Sequence, residues 1–265
     1  MTGQIRIGIG GWTFEPWRGH FYPSDLKQKD ELAYASRQLT AIEINGTYYS
    51  SFKPDSWRKW RDETPDDFVF AVKASRFTTN RKVLAEGGES VGKFLDQGLT
   101  ELGDKLGPIL WQFMPTKKFD EADFGAFLAL LPKEKDGVRL RHAVEVRNDT
   151  FMTPAFPALL REHGVAGVYA KHFDYPEFAD ETADFVYARL QTGSDDVPTA
   201  YPEAELDAWA ERMKTWAAGG APADLPRIDK ASALAAKARD VFAFIIHEGK
   251  VNAPHGAQAL IAKVK

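Results

Sequence analysis

Charged and amide side chains recur inside apolar, β-branched stretches of this 265-residue chain. A plain buried strand would carry none there. In Thr40-Ala41-Ile42-Glu43-Ile44-Asn45, alternation along a strand puts Ile42 and Ile44 on one face and Ala41, Glu43 and Asn45 on the other. The same alternation sets Lys73 apart from Phe68, Phe70 and Val72, and Gln112 apart from Trp111 and Phe113. It also opposes Glu145 and Arg147 to Val144 and Val146, and Arg189 and Gln191 to Ala188 and Leu190. A buried carboxylate costs several kcal/mol unless it is paired or hydrogen-bonded, so such a pattern in five strands points to a polar site rather than to structure alone. Glu43 and Glu145 are outnumbered by Lys73, Arg76, Arg147 and Arg189, which favours an anionic ligand. In catalysis Glu43 would be the general base or acid, hydrogen-bonded by Asn45. Lys73, Arg147 and Arg189 would hold the anion and stabilise developing negative charge. Glu145 would either orient Arg147 or act as a second carboxylate, with Gln112 and Tyr48 positioning the substrate.

These residues need elements that bring them together. Eight apolar segments, 5–11, 40–45, 68–74, 109–113, 142–147, 165–170, 185–190 and 241–246, alternate with amphipathic stretches at 25–39, 55–64, 90–106, 120–131, 154–163 and 202–217. Such alternation predicts a parallel sheet covered by helices, and eight units predict a TIM-type (β/α)8 barrel, with a doubly wound open sheet as the alternative. The sixth unit is irregular, because 173–182 reads as a loop. Residues 218–239 read as a loop plus a short helix, and 254–264 as a closing helix. In a barrel the bulky apolar face meets the helices, so the polar set points inward, near the C-terminal strand ends where barrel sites are built. Loops at that end add Trp12, Tyr48, Tyr49, Arg76, Asn80, Asn148 and His247. The Gln191-Thr192-Gly193-Ser194 loop falls where barrels often hold phosphate on backbone N–H groups.

Composition narrows the classes. Hydrophobic residues make up 44% and charged residues 27%, as in globular proteins, and residues 1–265 read as one domain. No cysteine is present, which removes disulfides, thiolate metal sites and a cysteine nucleophile. No leader-like or membrane-spanning run is visible, so a cytoplasmic protein without a membrane partner is expected. A net charge of −4 argues against a generally nucleic-acid-coating surface, while a local nucleic-acid site stays open. Gly8, Gly10 and Gly11 lack dinucleotide-fingerprint spacing and read as room at the barrel bottom or a turn. The six histidines supply too few strand-end ligands for a multinuclear metal centre, so neither metal nor cofactor is expected.

Particular motifs carry a family resemblance. They are Ile9-Gly10-Gly11-Trp12, Trp17-Arg18-Gly19, Phe21-Tyr22-Pro23, Glu43-Ile44-Asn45, Thr47-Tyr48-Tyr49, Phe68-Val69-Phe70-Ala71-Val72-Lys73, Leu106-Gly107-Pro108, Ala143-Val144-Glu145-Val146-Arg147 and Phe185-Val186-Tyr187-Ala188-Arg189-Leu190. Together they resemble the YecE-like family, domain of unknown function 72, over about residues 5 to 262. The resemblance implies a TIM barrel with a polar pocket at its C-terminal mouth and supplies no reaction. Its likeness to the endonuclease IV and xylose-isomerase group makes phosphodiester or sugar chemistry worth testing. Where relatives often carry histidine, this chain has Asn80, Asn148 and Gln191, and His247-Glu248-Gly249 replaces an asparagine-rich strand end. An enzyme acting on a nucleotide, nucleic-acid terminus or sugar phosphate is the leading expectation. A non-catalytic anion- or single-strand-binding module, with Trp12, Trp111 and Tyr48 stacking on bases, is the rival.

Overall fold

Eight strands close into a parallel barrel whose inner face mixes alanines and polar groups with a few large side chains and whose outer face is largely bulky and apolar. A computed structural model describes residues 2–231 and 234–265. The strands are β1 (Ile5–Gly10), β2 (Ala41–Ile44), β3 (Val69–Lys73), β4 (Leu106–Gln112), β5 (His142–Glu145), β6 (Ala166–Lys171), β7 (Phe185–Thr192) and β8 (Asp240–Glu248). They neighbour one another in chain order, and β8 pairs back onto β1. The TIM-type barrel is therefore the fold, and the open sheet is not.

Inside the barrel, Ala41, Ala71, Leu110, Ala143, Val168, Tyr187 and Phe244 form a narrow core. Ile42, Ile44, Phe70, Val72, Trp111 and Val144 face outward into a larger core under the helices. The inner alanines leave space that longer polar side chains fill near the mouth. Gly8 is required by a close approach: a Cβ there would lie 1.8 Å from the Ala41 carbonyl oxygen, between β1 and β2. Gly11 turns the chain at φ +73°, where glycine carries no penalty.

The outer layer comprises α1 (Glu31–Gln38), α2 (Pro54–Glu63), α3 (Arg76–Thr79), α4 (Gly88–Leu95), α5 (Glu121–Ala129), α6 (Ala155–His163), α7 (Glu203–Ala217) and α8 (Ala253–Val264). The stretch expected to be one helix over 90–106 divides into α4 and a 3-10 segment, Leu99–Lys105, with Gly98 at φ +97° between them. Among the described residues no helix lies between β6 and β7, as the loop reading of 173–182 implied.

The expected short helix within 218–239 does not form among the described residues, and residues 232 and 233 lie outside them. Gly219, Gly220, Pro222 and Pro226 oppose helix formation, and the backbone is drawn into other bonds. Asp180 accepts from the Ile228 and Asp229 amides at 2.7 and 2.8 Å, and the Pro226 carbonyl accepts from the Ala179 amide at 2.7 Å. This extended segment thus laces onto the loop that replaces the missing sixth helix.

Candidate functional site

Arg189, on the inner face of β7, anchors the floor of the barrel mouth. Its guanidinium donates to Glu43 through Nη2 at 3.0 Å and Nε at 3.1 Å, and to Glu145 and Gln112 through Nη1. Tyr187, two residues earlier on the same face, donates its hydroxyl to Glu43 Oε2 at 2.7 Å. Arg147 Nε closes the set on Glu145 Oε1 at 2.7 Å. Strand ends impose this convergence: Gln112 and Glu145 are the last residues of β4 and β5 and are register partners.

Two carboxylates meet two guanidiniums here, so the buried network is neutral as a whole. Burial alone would push the Glu145 carboxyl up, but Arg189 and Arg147 outweigh it and hold Glu145 down at about 2. Burial likewise opposes charge on Arg189, and Glu145 and Glu43 reverse that and raise its pKa. The Tyr187 phenol is held well above its usual range by burial and by Glu43, and remains a neutral donor.

Above this floor opens a cavity of about 580 Å³, lined by Asn45, Tyr48, Lys73, Gln112, Arg147, Arg189, Gln191, Lys250 and neighbouring apolar groups. Lys73 ends β3 with its ammonium 4.4 Å from the centre of the Tyr48 ring, and it forms no ion pair among the described residues. Burial, then the nearby Arg189 charge, pull its pKa down to about 8 against the opposing pull of Glu43 and Glu145. Lys250, in the loop between β8 and α8, holds its ammonium 4.1 Å from the Phe14 ring centre, and burial lowers its pKa. Its carbonyl accepts from the Trp17 indole N–H at 2.9 Å, which fixes the loop. Gln191 is buried, and its amide nitrogen finds no hydrogen-bond partner among the described residues. With the floor neutral, Lys73 and Lys250 leave the cavity cationic.

Several expected positions fall elsewhere. Glu43 and Glu145 lie fully buried beneath the cavity, with their carboxylates engaged by arginine. Trp12 packs edge-on against Trp60 at 5.1 Å and Phe70 at 6.3 Å, on the outer side of the strands. Arg76 is exposed on α3 beside Phe77 and Tyr49. Asn148 caps a 3-10 turn by accepting from the Thr150 amide, and donates to the Pro115 carbonyl at 2.7 Å. Trp111 is buried against Phe94 and Phe127 and donates to His142 Nδ1, so it cannot stack on a base. The amides of Thr192 and Ser194 bond to Tyr201 Oη and the Ala200 carbonyl, which withdraws them from phosphate. Nothing is described of the His247 side chain. Among the described residues no group of three or more His, Asp or Glu side chains is placed to hold a metal ion.

Sequence reasoning passed over Tyr187, Tyr175 and Lys250. Tyr187 shares the inner face with Arg189 and was open to the same alternation argument. Tyr175 stacks on His172 at 4.1 Å and lies 4.5 Å from the Arg147 guanidinium. Like Lys250 it belongs to a loop, where no periodicity marks which side chains turn inward.

Fold and site define a TIM-barrel protein with a cationic, polar mouth. The chain belongs to the family described as "Protein of unknown function DUF72", whose model matches residues 6–265. It is 29% identical over 143 residues to the UPF0759 protein YecE of Escherichia coli K12, covering 52% of this chain and 49% of that protein. To the UPF0759 protein YunF of Bacillus subtilis 168 it is 26% identical over 159 residues, covering 58% and 54%. The matched stretch thus spans about half the length of these relatives. Among solved structures, a DUF72 family protein of Thermotoga maritima MSB8 superposes with a TM-score of 0.69 at 22% identity, covering 97% of each chain. One from Enterococcus faecalis V583 gives 0.70 at 16% identity, covering 98% of this chain and 97% of that one. A xylose isomerase-like TIM barrel/4-hydroxyphenylpyruvate dioxygenase fusion protein gives 0.53 at 14% identity, over 99% of this chain and 43% of that one. These likenesses show the fold. No helix among the described residues is long and apolar enough to cross a membrane.

Proposed function

We infer that the barrel mouth binds a small phosphate-bearing substrate, a sugar phosphate or nucleotide, and that the protein is an enzyme acting on it. One observation carries this reading: the floor carboxylates are already neutralised by Arg189 and Arg147, while Lys73 and Lys250 face the cavity with no salt-bridged anionic partner among the described residues. A cavity of about 580 Å³ falls within the usual range for small-molecule sites. Arg147 and Lys250 grip the anion. Lys73 is the group able to exchange a proton near neutral pH. Glu43 and Glu145 act one layer below, holding the arginines in place rather than touching substrate.

The test is a thermal-shift panel of sugar phosphates and nucleotides on wild type and Lys250→Ala. A true ligand at about 100 times its dissociation constant adds about 2.7 kcal/mol of stability, a readable shift that Lys250→Ala should diminish. Silence across the panel, or hits indifferent to Lys250, would count against the reading.

A second reading has its own observation. Tyr49 and Phe173, on loops that leave the C-terminal strand ends, and Phe77, on the short α3 after β3, are 69%, 72% and 63% exposed. Such aromatics suit stacking on single-stranded nucleic acid. Affinity that grows with oligonucleotide length, falls steeply with salt and brings no turnover would favour that alternative.

A further inference from the structure

We propose that Lys73 is an amine nucleophile that forms an imine with its substrate, which makes the substrate class a carbonyl compound bearing a phosphate or carboxylate. This deepens the inferred activity of the mouth cavity and rests on it. A lysine that merely balanced the floor carboxylates would pair with them, yet Glu43 and Glu145 are held by Arg189 and Arg147 instead. Lys73 is left with an aromatic face, that of Tyr48, and an open cavity. The charged groups acting on it are Arg189 on β7 and Arg147 beyond the end of β5, which disfavour its proton, and Glu43 on β2 and Glu145 on β5, which favour it. Desolvation beside another cation is the setting in which a lysine becomes a neutral nucleophile. The pKa near 8 leaves about one-tenth of the amine neutral at pH 7, about 200- to 300-fold more than for an ordinary lysine. Holding the anionic end does not require Lys73, because Arg147 and Lys250 line the same cavity.

The chemistry balances without an external redox partner. The neutral amine adds to the carbonyl carbon, a C–N bond forms, and the C=O π pair moves to oxygen, which takes up a proton. Loss of that hydroxyl as water, with the amine proton released, leaves the imine. Amine and carbonyl combine to imine and one water, and neither is oxidised. Protonated, the imine withdraws electrons from the adjacent carbon, which serves bond cleavage or isomerisation there.

The experiment exposes the full chain at pH 7 to pyruvate, to dihydroxyacetone phosphate and to the uncharged probe 2,4-pentanedione. Sodium borohydride traps the first two by delivering hydride to the imine carbon, and peptide mass spectrometry locates every adduct. The expected result is modification of Lys73 at least ten-fold faster than any other lysine, accelerating from pH 7 to 9. It should be lost in folded Lys73→Arg and in urea-denatured wild type. Modification spread over surface lysines, or Lys73 lagging behind them with all three probes, would overturn the proposal; wild-type mapping decides this even if Lys73→Arg misfolds. Calorimetry with glycerol 3-phosphate separates the two readings. Binding without a Lys73 adduct removes the imine and leaves the anion site. A Lys73 adduct without binding removes the phosphate preference and leaves the nucleophile.

Discussion

Glu145 in the buried floor and Lys73 in the cavity above it have opposite consequences for stability at pH 7. Glu145 is held at about 2 in the folded state, below the usual carboxylate range. The unfolded chain therefore takes up its proton first, and the stability Glu145 contributes is present above about pH 5 and lost as pH falls toward 2. That contribution is roughly 3 kcal/mol. Glu145→Gln removes the partner of Arg147 and one of the two partners of Arg189, leaves the buried network with one positive charge in excess, and should cost about 3–5 kcal/mol at pH 7 while flattening the acid limb. Urea titrations of both proteins at pH 7, 5 and 3 check this, and an unchanged acid limb would refute it.

Lys73 shifts in the same direction, but there the charged form is the one that folding disfavours. Its folded pKa lies below the unfolded value, so between about 8 and 10 the unfolded chain binds more protons and stability rises with pH. Lys73→Met should therefore stabilise the protein at pH 7 by roughly 1–3 kcal/mol and erase the rise above pH 8. A destabilised variant would place Lys73 among the structural groups.

At the scale of elements, the unit without a helix is the informative one. Asp180 is buried and accepts from two amides of the 218–239 segment while facing Arg161 at 3.6 Å. Thr182 donates to the Val165 carbonyl and accepts from the Gly167 amide, both at 2.7 Å. Side chains here do what a helix does elsewhere in the barrel. Asp180→Ala should speed hydrogen exchange at the Ile228 and Asp229 amides at least ten-fold with little change in the β7 amides; equal protection would show that other contacts hold the segment. Among the strands, Gly8→Ala forces a Cβ into the Ala41 carbonyl and should cost several kcal/mol in chemical denaturation, because neither backbone can retreat without opening the barrel.

For the whole molecule, strand alternation made the barrel and its inner polar face legible, since period two decides which side chains point inward once helices cover the other face. Glu43, Lys73, Gln112, Glu145, Arg189 and Gln191 came from that rule. What it could not show was depth. Glu43 and Glu145 share the inner face with cavity-lining groups yet lie a layer below them, a matter of strand register rather than sequence period. Trp12, Asn148 and Lys250 are loop residues and Arg76 opens the one-turn α3, so their direction is set by turns and caps with no repeating signal.

A chain of net charge −4 that keeps two lysines without a salt bridge among the described residues in one cavity presents a local field unlike its average surface. The most direct measurement is a crystal structure of the protein soaked in tungstate, a tetrahedral dianion whose anomalous signal marks its position. A peak between Lys73, Lys250 and Arg147 that disappears in Lys250→Ala is the expected result. Tungstate bound only outside the mouth, or an empty cavity at saturating concentration, would contradict it.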